Sequence, residues 1–78
     1  MNVKLVVTYK GNIVEKLKRC GTRTDFHLLP NGNTEQVCDV FARPDSPDGH
    51  FDFLKQIMLE DAQKNGEVVS LVIDASSN

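Results

Sequence analysis

The sequence predicts an α+β fold, a two-layer sandwich of one sheet and covering helices. Strand-like and helix-like segments alternate along 78 residues, a length that fits one domain. Hydrophobic residues make up 40% of the chain and charged residues 26%, which is typical of folded globular proteins. This balance excludes a disordered chain.

The first strand is predicted over residues 3–9. Val3, Leu5, Val7 and Tyr9 fall on one side of an extended chain, and Lys4, Val6 and Thr8 fall on the other. Several of these residues are β-branched or aromatic, which favours a strand. We expect a half-buried strand.

Segment 12–20 decides the topology. As a strand it mixes apolar and charged residues on both faces. As a helix it collects its apolar residues on one stripe, namely Ile13, Val14, Leu17 and Cys20. Asn12 and Glu15 have capping-box spacing, and Gly21 stands at the C-terminal cap position. We predict a short helix, and the alternative is a second strand after a hairpin at 9–14.

A hairpin is predicted next. Residues 25–29 resemble a short strand, and Asn31-Gly32 is a strong turn signal because both residues tolerate positive φ. The returning strand is predicted over 35–42. One of its faces would carry Cys38, Val40 and Ala42, and the other Val37, Asp39 and Phe41.

The longer helix is predicted over about residues 48–64, with Ser46 as its cap and Pro47 at a first helical position. Its apolar stripe contains Phe51, Leu54, Ile57, Met58 and Ala62. Asn65-Gly66 would end the helix. The apolar run 68–73 predicts the last strand, and residues 75–78 a polar tail.

The preferred order is therefore β-α-β-β-α-β, the ferredoxin-like order, with both helices on one face of the sheet. The alternative is an antiparallel sheet of four to five strands, with one long helix packed on one face. Both are two-layer sandwiches. Residues 1–74 are predicted to form a single domain, followed by the tail.

Charge is segregated along the chain. Residues 1–24 hold six basic side chains against one acidic side chain, a net +5, whereas residues 25–78 hold three against ten, a net −7. A nucleic-acid interface is one function that this asymmetry suggests. Its phosphate contacts would come from the basic segment, namely Lys10, Lys16, Lys18, Arg19 and Arg23. Tyr9 and Phe41 would stack bases on the open side of the sheet.

No catalytic residue set emerges. Acidic residues and one histidine precede the longer helix, namely Asp45, Asp48, His50 and Asp52. Such residues could bind a divalent cation, but carboxylates also complement a helix dipole, and we predict no metal and no cofactor. Cys20 or Cys38 could pair with His27 as nucleophile and base. We instead expect both thiols to be reduced and buried.

The leading functional prediction is a non-enzymatic protein-binding module of accessory, regulatory or inhibitor type. Its partner could be another protein or a second copy in a homodimer. The predicted contact residues are Phe53, Leu59, Phe41 and Tyr9. With no apolar run long enough for a membrane span and no signal-like N-terminus, we expect a cytoplasmic protein without a membrane partner.

Overall fold

The computed structural model describes residues 2–19 and 24–74. In chain order its elements are β1 (Asn2–Tyr9), α1 (Val14–Arg19), β2 (Asp25–Leu28), β3 (Thr34–Phe41), α2 (Asp52–Gln63) and β4 (Val68–Asp74). This order confirms the predicted β-α-β-β-α-β sequence of elements. Cys20, Gly21, Arg23 and the predicted tail 75–78 lie outside the described residues.

The four strands form one antiparallel sheet in the order β2-β3-β1-β4. β1 is central, since it pairs along its whole length with β3 and from Lys4 to Tyr9 with β4. The β1–β4 register shifts between Thr8 and Tyr9. The α+β class and ferredoxin-like order are confirmed, and the alternative with a strand in place of α1 is wrong.

The core lies on one side of this sheet. The odd-numbered residues of β1 all face the helices and are buried, namely Val3, Leu5, Val7 and Tyr9. Leu5, Val7 and Tyr9 form one core cluster with Leu17 of α1, Ala62 of α2 and Leu71 of β4. Because side chains of a strand alternate between faces, the even-numbered residues of β1 project from the opposite side.

α1 is stabilised by a hydrogen bond at its N-terminus and by one buried side chain. The Asn12 Oδ1 accepts a hydrogen bond from the Val14 N–H at 3.2 Å, which satisfies one of the helix's unpaired donors. Glu15 does not complete the predicted capping box, because its Oε1 accepts a hydrogen bond from the Lys18 Nζ at 3.5 Å. Leu17 is the one buried residue of α1. This side chain therefore anchors the helix to the sheet.

The predicted hairpin is confirmed. Gly32 has φ +90°, a conformation that glycine adopts without strain, and the Asn31 Oδ1 accepts a hydrogen bond from the Asn33 N–H at 3.0 Å. β3 then returns beside β1 with the predicted faces. Cys38 lies opposite Leu5 on the helix side of the sheet.

α2 begins four residues later than predicted. Gly49 has φ +82°, outside the helical region, and its N–H donates to the Ser46 carbonyl oxygen at 3.1 Å in a separate turn. The Ser46 Oγ accepts from the His50 N–H at 3.3 Å instead of capping the helix. The cap comes from Asp45, whose Oδ2 accepts a 2.6 Å hydrogen bond from the Phe53 N–H. The prediction of Ser46 as the cap is wrong.

Replacing Leu17 with alanine is expected to lower the free energy of unfolding by about 2–5 kcal/mol, because it empties a fully buried position. Urea unfolding followed by circular dichroism would measure this change. Lys16→Ala is the matched control, since Lys16 is exposed on the same helix, and it should change stability by less than about 0.5 kcal/mol. Equal effects of the two substitutions would contradict this packing of α1.

Candidate functional site

The strongest candidate surface is the side of the sheet that both helices leave uncovered. We call it the open face. Strand register places these residues on it: Lys4, Val6, Thr8, Asp25, His27, Glu35, Val37, Asp39, Phe41, Ser70, Val72 and Asp74. All four strands contribute, so the surface is built on rigid, paired backbone.

An apolar row crosses the middle of the open face. Val6 lies opposite Val37 on one side and opposite Val72 on the other, so three valines adjoin across three strands. Val72 is 54% exposed, and Phe41, at the end of β3, is 74% exposed. Exposed apolar side chains grouped on one surface are typical of interaction sites.

Carboxylates frame this apolar row. The acidic residues of the open face are Asp25, Glu35, Asp39 and Asp74. Lys4 is its one lysine or arginine and lies between Asp39 and Asp74 on the neighbouring strands. The His27 Nε2 lies 3.3 Å from the Glu35 Oε1. Four carboxylates against one lysine give the open face a net negative charge.

Two of the four predicted contact residues are placed differently. Tyr9 is 0% exposed and faces the helices, so the prediction that it lies on the open side of the sheet is wrong. Its position follows from the alternation of β1, in which Tyr9 shares the side of Leu5 and Val7. Leu59 is half-buried against the core rather than free for contact. Phe41 and Phe53 (66%) are exposed, and their role in binding stays a prediction.

The sequence prediction missed the valine row. The alternation of β1 predicts that Val6 lies on the side away from the core, but Val37 and Val72 join it only through the strand register. A pairing of β1 with both β3 and β4 was the signal that could have revealed this row.

On the other side of the sheet, a cleft of about 250 Å³ lies between the helices. A polar chain crosses its floor: the Tyr9 hydroxyl donates to the Gln36 Oε1 at 2.9 Å, and the Gln36 Nε2 donates to the Thr24 Oγ1 at 2.7 Å. The Asn65 Nδ2 donates to the Tyr9 hydroxyl at 3.4 Å. Among the described residues, every buried side-chain polar atom has a hydrogen-bond partner. This network satisfies the core internally.

Cys38 borders the same cleft as a free thiol. Burial raises its pKa, the hydrogen bond with Thr24 opposes this shift, and the charge of Asp39 adds to it. His27 and Cys38 project from opposite faces of the sheet, because they belong to opposite registers of β2 and β3. The thiol is therefore protonated at neutral pH and does not pair with this imidazole.

The acidic segment before α2 does not form a metal centre within residues 2–19 and 24–74, where no three potential ligands cluster. Asp45 is engaged in capping α2. Its carboxylate accepts a hydrogen bond from the backbone of the helix, and this accounts for an acidic residue at this position.

The basic segment lies apart from the open face. Lys16 and Arg19 are exposed on α1, in the helical layer. The Lys10 Nζ lies 3.7 Å from the Glu67 Oε2, and the Lys18 Nζ lies 3.5 Å from the Glu15 Oε1, with all four side chains mostly exposed. The structure does not bring these cations together with Phe41 on one surface, and Arg23 lies outside the described residues.

Comparisons of this chain with models of protein families, with curated proteins and with solved structures gave no match. None of the described helices is long and apolar enough to cross a membrane.

Replacing Tyr9 with phenylalanine should lower the free energy of unfolding by about 1–3 kcal/mol, because the buried Gln36 amide loses its hydroxyl donor. Chemical denaturation would measure the loss. The double variant Tyr9→Phe/Gln36→Leu removes both members of the pair and should recover part of that loss. Additive losses in the double variant would contradict the coupling.

Alkylation of Cys38 by iodoacetamide should be slower at pH 7 than alkylation of a free cysteine, because its raised pKa leaves little thiolate. A Cys20→Ser background makes Cys38 the one reporting thiol, and unfolding in urea should abolish the difference. A native rate equal to the unfolded rate would contradict the burial of this thiol.

The same shift sets a pH dependence of stability. The folded thiol keeps its proton at a pH where the unfolded thiol loses it. The contribution of Cys38 to the free energy of unfolding is therefore complete below pH 9.0, the ordinary pKa, and is lost as the pH rises towards the pKa of the folded thiol. Cys38→Ala should therefore flatten the alkaline decline of the free energy of unfolding. An unchanged slope would contradict the raised pKa.

Proposed function

We propose that this chain is a small non-enzymatic module that binds a partner protein through the open face. The observation that carries the proposal is the apolar row of Val6, Val37 and Val72, together with the exposed ring of Phe41 elsewhere on the same face. An accessory, regulatory or inhibitor role is compatible with this geometry, because covering a surface requires no reacting group.

The apolar row supplies the affinity in this proposal. Aromatic side chains dominate many protein interfaces, and Phe41 offers a large apolar area on the last residue of a paired strand. The valines of the row are held in register by β1, so little conformational entropy is lost when a partner covers them.

The four carboxylates of the open face indicate which chemistry a partner surface should have. A complementary surface would present apolar side chains in its centre and lysine or arginine around them. The carboxylates of the open face repel phosphate, so base stacking on Phe41 would bring a nucleic acid against unfavourable charge.

Nucleic-acid binding through the basic segment is the alternative proposal. Lys16 and Arg19 support it, since both are exposed in the helical layer, where the acidic open face does not oppose them. It predicts an affinity for nucleic acid that falls steeply with salt. In that case Lys16→Ala/Lys18→Ala/Arg19→Ala would abolish binding, and Phe41→Ala would leave it unchanged.

The test of the main proposal compares two equally aromatic positions. Wild type, Phe41→Ala and Phe53→Ala, each immobilised at the same density, would be used to capture proteins from the native extract. Quantitative mass spectrometry would identify proteins recovered by wild type and Phe53→Ala but lost from Phe41→Ala. For a protein so identified, Phe41→Ala should raise the Kd by about tenfold or more, which corresponds to about 1.4 kcal/mol.

Circular dichroism of each variant provides the control for folding, and both phenylalanines are exposed enough to be replaced without loss of core packing. Capture that depends on Phe53 alone would move the binding surface to α2 and contradict the open-face proposal. Capture that depends on neither residue would also contradict it.

A further inference from the structure

We infer that the cleft between the two helices binds a small aromatic amine. This inference goes beyond the proposed function, because it concerns a small molecule and uses the side of the sheet opposite the open face. We call this cleft, which has a volume of about 250 Å³, the interhelix cleft. Residues of β1 and β3 form its floor, and residues of α1 and α2 stand on either side.

The interhelix cleft is lined mainly by apolar side chains. Four of them are buried and the fifth, Met58, is half-buried; the set is Leu5, Val7, Leu17, Met58 and Ala62. Ligand pockets typically combine such a lining with a small number of polar groups that orient the ligand. An apolar ligand body would therefore be favoured here, because binding removes its surface from water.

The buried polar groups of the floor already have partners. The Tyr9 hydroxyl donates to Gln36, and Gln36 donates to the Thr24 hydroxyl. A ligand gains nothing by replacing these hydrogen bonds, so the part of it that lies over the floor should be apolar. The same hydrogen bonds hold the floor in place before a ligand arrives, which lowers the cost of binding.

Two sulfur atoms in the lining favour an aromatic ring over an aliphatic group. Met58 of α2 and Cys38 of β3 both border the interhelix cleft. Sulfur makes favourable contacts with aromatic rings at about 5 Å. A ring placed between α2 and β3 could contact both atoms.

The volume restricts the ligand to one ring with a short chain. Pockets for drug-sized ligands have volumes of about 300–1,000 Å³, which is more than the interhelix cleft provides. A cavity of about 150 Å³ is large enough for one benzene molecule. The interhelix cleft is larger than that, so it can hold a benzene ring and a chain of a few atoms.

Asp61 supplies the charge that selects an amine. It is exposed on α2, and it is the one charged side chain among the described residues that line the interhelix cleft. Within residues 2–19 and 24–74 its carboxylate forms no ion pair or hydrogen bond. Asn65, four positions later, also lines the cleft, and its Nδ2 donates to the Tyr9 hydroxyl. The Asn65 Oδ1 is therefore a second acceptor for an ammonium group beside Asp61.

The test is a titration of the full-length chain with phenethylamine, followed by methyl NMR. The signals of Leu17 and Met58 should shift and saturate in the millimolar range, and those of Val37 and Val72 on the open face should not shift. Phenethyl alcohol and phenylacetate carry the same ring with a neutral or a negative end. Both should bind about fivefold more weakly or worse, because they lose the attraction of Asp61.

Asp61→Asn should weaken the binding of phenethylamine by about fivefold and leave that of phenethyl alcohol unchanged. Glu60→Gln is the matched control, because Glu60 is an exposed carboxylate on the same helix that does not line the interhelix cleft. This variant should bind phenethylamine as wild type does.

The absence of a saturable shift at Leu17 and Met58 would overturn the inference. Equal affinities of wild type for the three ligands would also overturn it, and this comparison needs no substitution. So would an Asp61→Asn variant that binds phenethylamine as tightly as wild type. The signals of the interhelix cleft and of the open face are separate, so a failure here leaves the proposed function standing.

Discussion

The structure depends on the burial of one side of β1. This strand pairs with β3 and β4, and its residues Val3, Leu5, Val7 and Tyr9 face both helices. A one-residue slip in register would turn all four side chains to solvent, so this pattern fixes both pairings of the strand. The same alternation places Val6 on the opposite side of the sheet. One alternating segment thus produces the core and the centre of the open face together.

The buried polar groups connect elements that are distant in sequence. Thr34 is fully buried at the start of β3, where its Oγ1 accepts from the Ile13 N–H at 2.9 Å and donates to the Gly11 carbonyl oxygen at 2.8 Å. The hairpin is thereby joined to the turn before α1. Tyr9 and Gln36 form a second link beneath the interhelix cleft. Hydrogen-bonded polar pairs such as these make a small apolar core more specific for one structure. They also explain why Tyr9 has a structural role inside the core.

Most of the fold is predictable from local signals in the sequence. The alternation in 3–9, the cap at Asn12 and the Asn31-Gly32 turn each act within a few residues, and each predicted element was confirmed. The start of α2 was not predictable in this way, because its cap is not local: the Asp45 carboxylate accepts a hydrogen bond from the Phe53 N–H, eight residues later. In addition, Gly49 interrupts the helical pattern. The open face depended on strand pairing at longer range still. Its valines lie at positions 6, 37 and 72, and no local pattern relates them.

A one-sided core is the central claim, since the main proposal uses the face of the sheet that the helices leave uncovered. Methyl NMR with a soluble paramagnetic agent measures it directly, by comparing relaxation enhancement at Val72 and Val37 with that at Val3 and Val7. Strong enhancement at the first pair and little at the second is the expected result, at a concentration where the chain is monomeric. Equal protection of all four valines would show that another part of the chain covers the second face of the sheet, and would contradict the account.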